Sequence, residues 1–469
     1  MLNHPFTTQN IRDKRIVNRM HFVLDSMTAK GSAVVNQIFP SYTDKTGAYR
    51  MLNNEHFTSQ DMVDCYSQAC SETIKHDGCR HVLCIQDTSE INYDKHAARM
   101  HKKDRRPGIV SNNEVGCFVH PSLMFDADTR LPIGFSNVTI WSRQADAPGC
   151  RERQYKKLPV EAKESFRWCE SVDRAKQVAA GCTVTVVSDR EADIYEHLKR
   201  ADDNVHILVR SNQNRRVAHH DQKLHELISQ SHVKHRYTLH LLASHGRKAR
   251  DAQMELRYMP VEIAAPAGKK DVEQTVRLYC IQVSEVLSTV PAGQTPLSWT
   301  LLTSHEITST DQALECVEWY KCRWFIEELF RLSKRKGFCI EDIQLENQES
   351  IAKNILIALY AILRIIVLKH SFNNAEECMG IAAEHIFDED EVQTAEYYAR
   401  RFANTTVKQQ NPFLPRSLPW IAWIIARMGA WSGYFSQPKP GYITFKRGLD
   451  ALLHMTDFYK TIKKDVYKG

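Results

Sequence analysis

At 469 residues the chain exceeds what one small core can organise, and two or three domains are expected. Hydrophobic residues make up 43% and charged residues 25%, ordinary values for a globular protein; the net charge of +6 does not by itself demand a nucleic-acid partner, so the local distribution of charge has to be read. The 13 cysteines contain no C-x-x-C pair and take no zinc spacing with the histidines, which argues against a disulfide framework and for reduced thiols in a cytosolic protein.

The N-terminus, Met1 to Asp13, is polar and resembles no signal peptide. From about Ile11 to Ala69 the pattern is that of short helices decorated by Arg15, Arg19 and Lys30, with Thr46-Gly47-Ala48-Tyr49-Arg50 marking a turn into a further helix. Such a segment serves equally as a helical lid or as a DNA-binding arm. Val82-Leu83-Cys84-Ile85 is a continuous apolar run, the mark of a strand buried on both faces, and it delivers Asp87 and Thr88 to its C-terminal end. A hairpin is expected from Gly116 to Phe125 and from Pro132 to Trp141, joined by a turn at Asp126–Arg130. A charged helix follows between Glu161 and Ala179. A second buried strand, Val184-Thr185-Val186-Val187, ends at Ser188-Asp189 and leads into a helix containing Ile194, Tyr195 and Leu198.

Between Val205 and about Ser304 the pattern changes to short alternating strands punctuated by Pro260, Pro266, Gly268, Pro291, Gly293 and Pro296, which reads as an all-β insertion in an α/β domain. The next segment, Tyr320-x-x-Arg323-x-x-x-Glu327-x-x-x-x-x-x-Lys334, reads as one helix. At roughly 100° per residue its Tyr, Arg, Glu and Lys fall in a narrow arc with Arg331, while Leu314, Cys322, Phe325, Ile326, Leu329 and Leu332 fall opposite. The longest apolar stretch, Ile355 to Leu368, is interrupted by Arg364 and is shorter than a membrane span, so a buried helix is expected and no membrane partner. Further helices, broken by prolines from Pro412 to Pro440, continue to Gly469.

Asp87 and Asp189 each stand just past an apolar strand, where functional groups of open α/β sheets gather. With one glutamate from a nearby helix they form a three-carboxylate cluster. Such a cluster is costly unless a cation offsets its repulsion, and Mg²⁺ with oxygen ligands and substrate phosphate is the cation that fits. Two such ions suit phosphodiester hydrolysis or transesterification. The plain structural alternatives carry weight: an Asp after a strand is most often a cap or turn residue, and a polar helix face is most often only solvated. Within Asp189-Arg190-Glu191-Ala192-Asp193, Glu191 and Asp193 remain alternative ligands; Asp189 is preferred as nearest the strand end.

Gln86-Asp87-Thr88-Ser89, the run Ser188–Asp193, and the Tyr320–Arg323–Glu327–Lys334 signature with Trp324, Ile326 and Glu328 around it resemble the cut-and-paste DNA transposases of the insertion-sequence-four class. Thr295-Pro296-Leu297-Ser298-Trp299 to Ser304 and Leu418 to Gly429 are also similar, and the resemblance spans from about Ile11 to the C-terminus. The four-residue signature is specific; the first aspartate motif alone is weak. The fold implied is α/β: a ribonuclease-H-like catalytic core with a large all-β insertion, flanked by helical domains. The boundaries expected are 1–70 for an N-terminal DNA-binding domain, 71–370 for the catalytic domain with its insertion at about 205–304, and 371–469 for a C-terminal dimerisation domain.

The resemblance assigns Asp87, Asp189 and Glu327 to catalysis and metal binding. It implies Mg²⁺ as two ions, with Mn²⁺ as a substitute. It assigns Tyr320, Arg323, Arg331, Lys334, Arg210 and Arg190 to DNA contacts. Trp299 is matched to an aromatic that stacks on a flipped base, against the plain alternative of a core residue in the β insertion. Basic clusters at Arg99–Arg106, Arg210–Arg216, His235–Arg250 and Lys334–Lys336 fit phosphate binding. The partners implied are double-stranded DNA with terminal inverted repeats, target DNA and a second copy of the chain in a DNA-bound homodimer, in a bacterial cytoplasm with nucleoid association. The activity implied is nicking, hairpin formation and resolution, and strand transfer. The segment before Ile11 is shorter than in the family, so weakened end recognition is expected. A catalytically silent end-binding or dimerising inhibitor is the alternative.

Overall fold

A computed structural model describes residues 4–100, 107–144, 158–241, 249–266, 275–334, 337–403 and 406–466. Most of the basic run Arg99–Arg106, the middle of His235–Arg250, and Arg335 and Lys336 lie outside the described residues. The chain divides into two compact units: one comprises Met1–Cys79, Thr88–Gly149 and Trp324–Gly469, the other Arg80–Asp87 and Cys150–Arg323.

The first unit opens with helices α1 (Lys14–Lys30), α2 (Val35–Ile38), α3 (Tyr42–Leu52) and α4 (Ser59–His76). Helix α1 starts on an Asp13 cap and ends on Gly31 in the left-handed region, φ 57°. Helix α3 runs through the expected turn at Thr46–Arg50 without interruption. Gly47 is tolerated there because a Cβ at that position would lie 3.0 Å from Arg19 Cζ, and Arg19 pairs with Asp44 at 3.3 Å. The glycine thus marks a close approach of two helices, not a break.

The expected hairpin is present in this unit. Strand β2 (Ser89–Asn92) pairs antiparallel with β3 (Gly116–Asp126), which pairs with β4 (Pro132–Trp141). Helices α9 (Trp324–Ser333), α10 (Gln348–Asn373), α11 (Ala375–Cys378), α12 (Glu389–Ala403), α13 (Leu418–Met428) and α14 (Tyr442–Val466) complete it. Helix α10 has 26 residues, longer than its apolar run, because polar residues extend it at both ends. By length and composition it passes for a membrane span, but its apolar window is wholly buried within the protein. Its Arg364 is fully buried and pairs with Asp25 at 2.8 Å. A buried guanidinium held this way belongs to a protein core, where burial of each Leu or Ile contributes about 1.5–3 kcal/mol.

The second unit is built on a mixed sheet. It contains β1 (His81–Gln86), α5 (Phe166–Val178), β5 (Thr183–Ser188), α6 (Tyr195–Leu198), β6 (Val205–Arg210), α7 (Leu224–Gln230), β7 (His235–Leu241), β8 (Arg250–Ala264), β9 (Thr275–Glu285), β10 (Ser298–Thr303) and α8 (Thr310–Lys321). The strand order is β1-β5-β6-β10-β9-β8-β7. Strands β1, β5 and β6 are parallel; the others are antiparallel to their neighbours.

Two expectations are revised here. Strand β6 does not open a separate all-β insertion but extends the parallel set, since its buried apolar run Ile207–Val209 is a shorter form of the buried-strand signal in β1 and β5. Pro260 does not end a short strand but sits inside β8, opposite Tyr279. It is accommodated because β7 pairs only with residues 250–256 of β8, leaving one side of Pro260 outside the ladder.

Candidate active site

The register of β1 and β5 pairs Gln86 with Ser188, so the next residues, Asp87 and Asp189, emerge side by side at the C-terminal ends of adjacent parallel strands. Their side chains are 21% and 29% exposed, half-open to solvent. Both β strands are buried along their length, which fixes where the chain surfaces.

The end of α8 closes on these carboxylates. Tyr320 Oη donates to Asp189 Oδ1 at 3.1 Å, and Arg323 Nη1 donates to Asp87 Oδ2 at 3.2 Å, with Asp189 Oδ2 at 3.9 Å. Burial, then the charge of Asp189, pushes the Tyr320 phenol up to about 12, so it stays a neutral donor. Arg323 sets a positive charge between two carboxylates that would otherwise repel. Arg210 ends β6, where its guanidinium donates to the Ser298 carbonyl at 3.4 Å and its charge reaches Tyr320.

The segment expected as one helix is broken. Helix α8 ends at Lys321 and α9 begins at Trp324. The turn between them is closed by Cys322 N–H to the Trp319 carbonyl and Arg323 N–H to the Tyr320 carbonyl, both 3.1 Å. The break carries no Gly or Pro, so hydrophobic periodicity passes through it unmarked. Tyr320 and Arg323 therefore belong to the second unit; Glu327 lies on α9 in the first. Tyr320, expected on a wet face, is 7% exposed.

On α9, Arg331 pairs with Glu328 at 2.6 Å and lies over the Tyr442 ring at 5.4 Å; Lys334 follows the end of the helix, half-buried. Trp299 is half-buried on β10 opposite Val283, so it is not a closed core residue. Arg190 is exposed in the turn after β5.

The two other carboxylates of that turn have different surroundings. Glu191 is exposed and accepts from Arg167 Nη2 at 3.0 Å. Asp193 is buried, accepts from Arg215 Nε at 2.8 Å, and accepts the backbone N–H groups of Asn212 and Gln213 at 2.8 and 2.9 Å. Arg215, grouped by sequence with the basic cluster Arg210–Arg216, is buried against Asp193 and is spent inside the fold; that pairing left no signal in the sequence, because the partner lies 22 residues away.

Residues 162–364 match the family model of the transposase DDE domain. The match supports a DDE transposase. It covers Arg190, Asp189, Arg210, Trp299, Tyr320, Arg323, Glu327, Arg331 and Lys334, and it begins after Asp87. Transposases of this kind generally use divalent metal ions and act on DNA. The donor set at the strand ends suits a hard cation: two accessible carboxylates supply oxygen only, without His or Cys. Among the described residues no group of three or more His, Cys, Asp or Glu side chains is gathered for a metal ion, so the strand-end pair is a partial cradle.

Proposed function

We propose that this chain is a cut-and-paste DNA transposase of the insertion-sequence-four class. It binds double-stranded DNA at terminal inverted repeats, acts as a homodimer on that DNA, and carries out nicking, hairpin formation and resolution, and strand transfer into target DNA. The observation that carries the reading is the convergence of Asp87, Asp189, Tyr320 and Arg323 at the ends of β1 and β5.

Asp87 and Asp189 hold Mg²⁺, two ions in the full site, with Glu327 as the third carboxylate and Mn²⁺ as a substitute. When bound, such ions activate the attacking oxygen and offset charge on the phosphodiester. The remaining work falls to the chain. Arg323 and Tyr320 stand where a phosphate beside the carboxylates would meet a cation and a neutral donor, and charge-assisted contacts from Arg are the stronger of the two. Arg210 extends that cationic edge, Arg190 adds an exposed charge beside Asp189, and Arg331 and Lys334 contribute from α9 and its end. Trp299, half-open on β10, offers a face for an unstacked base, worth about 1–3 kcal/mol. The helices of residues 1–70 recognise the ends and those of 371–469 dimerise.

The test is incubation of the purified chain with its flanking inverted repeats in Mg²⁺. Hairpin-ended products and joined strands are expected. End binding without cleavage under the same conditions would instead make the chain a silent end-binder.

A further inference from the structure

The two aspartates stand on strand tips, where the backbone ladder is ending and two like charges push apart. One residue beneath them lies a polar network inside an otherwise apolar core. Gln86 and Ser188 are register partners in adjacent strands, so both side chains lie on the same face of the sheet. Both are fully buried, as is His197. Gln86 Nε2 lies 3.1 Å from Ser188 Oγ, 3.4 Å from the Trp168 carbonyl on α5, and 3.4 Å from His197 Nε2 on α6.

Burial pushes His197 down to about 3, against a smaller opposing pull from the Ala192 backbone, so its ring is neutral and Nε2 can accept the Gln86 N–H. Ala192 closes the turn that begins at Asp189. The network therefore links β1 to β5 directly, one peptide below the two carboxylates. It also links β1 to the helix that follows the Asp189 turn. An amide is unusual at such a place: burying it without partners costs about 1–3 kcal/mol, and an apolar residue would fill the site as well. Its benefit is directional, because hydrogen bonds fix strand-tip spacing in a way that apolar packing does not.

We infer that Gln86, with Ser188 and His197, is a positioning residue that sets the separation and orientation of Asp87 and Asp189 for a divalent cation. This rests on the reading of those aspartates as metal-holding groups. Groups that hold ligand-bearing residues in place typically change metal affinity by about 10- to 100-fold when removed.

The test measures Mn²⁺ binding to the full chain by electron paramagnetic resonance. Gln86→Met keeps side-chain length and removes both N–H donors. It is expected to weaken Mn²⁺ binding by about 10-fold or more and to raise the metal concentration for half-maximal end cleavage by the same factor. DNA-end binding in metal-free buffer should be unchanged. Asp87→Asn is the reference and should lose Mn²⁺ binding. Wild-type Mn²⁺ affinity in a folded Gln86→Met, alongside loss in Asp87→Asn, overturns the inference while leaving the aspartate reading intact. Should Gln86→Met fail to fold, Ser188→Ala, which deletes one hydroxyl, decides by the same criterion. Undiminished Mn²⁺ binding in both Asp87→Asn and Asp189→Asn overturns the aspartate reading and this inference with it.

Discussion

Asp189 and Asp193 lie four residues apart in one turn, each within reach of an arginine, yet their surroundings are opposite. Asp193 is closed off with Arg215, their side chains 0% and 6% exposed, and its second oxygen accepts two backbone N–H groups. All of its hydrogen-bonding capacity goes into holding the 212–215 loop. Asp189 is 29% exposed, receives one phenol hydrogen bond, and sits 3.9 Å from an arginine that leans toward Asp87. A carboxylate saturated from within can only be structural, whereas one left half-open can meet a ligand. The residue type is the same and both lie in one short turn; the difference comes from what the fold brings to each oxygen.

The contrast predicts where stability and activity part. The largest effect on stability belongs to Asp193→Ala, which strands a buried guanidinium and should cost about 3–5 kcal/mol, read as a lower urea midpoint. A loss under 1 kcal/mol would mean that the closed pair is dispensable and the comparison misdrawn. Next comes pH. His305 packs among His81, His206 and Trp319 and shares the Thr185 hydroxyl with His81, at 2.7 and 2.8 Å. Burial, then the neighbouring histidines, pushes it down to about 3 from a usual 6.5. The unfolded chain then binds the proton first, so this contribution is complete above pH 6.5 and is lost as pH falls toward 3. Between those limits each such histidine removes about 1.4 kcal/mol per pH unit. His305→Phe should flatten the urea-midpoint slope between pH 6 and 4 by that amount, and an unchanged slope would remove His305 from the account. The smallest effect is that of Glu328→Ala. Its pair with Arg331 is 26% and 44% exposed and should be worth under about 1 kcal/mol in thermal unfolding. A larger loss would show that α9 depends on this surface pair.

Much of the scaffold was legible. Continuous apolar runs marked β1 and β5, and the turn signal at Asp126–Arg130 between two strand-like segments marked the β3–β4 hairpin. Asp87 and Asp189 could be placed at strand ends for that reason. The rest was hidden for physical reasons. The turn at Cys322–Arg323 keeps its hydrogen bonds through closer carbonyls and needs no Gly or Pro, so an unbroken helix was the natural reading. Gly47 looked like a turn because its role, making room for Arg19, depends on another helix. Ile207–Val209 carried the buried-strand signal, but its position at the head of an alternating region masked its parallel pairing. His197 gave no sign at all, since a histidine on a short helix shows its partner only once the strands are assembled.

If, as proposed, the half-open aspartate acts on DNA and the closed one holds the fold, substitution must separate the two. The most direct test is end cleavage by Asp189→Asn in Mg²⁺, with end binding followed in parallel. Losing about 4 kcal/mol of transition-state stabilisation, the scale expected when charge against a phosphoryl group is lost, corresponds to about a 10³-fold slower cleavage. The account predicts that fall with end binding and unfolding midpoint near those of the unaltered chain. Cleavage at the unaltered rate by folded Asp189→Asn would contradict it.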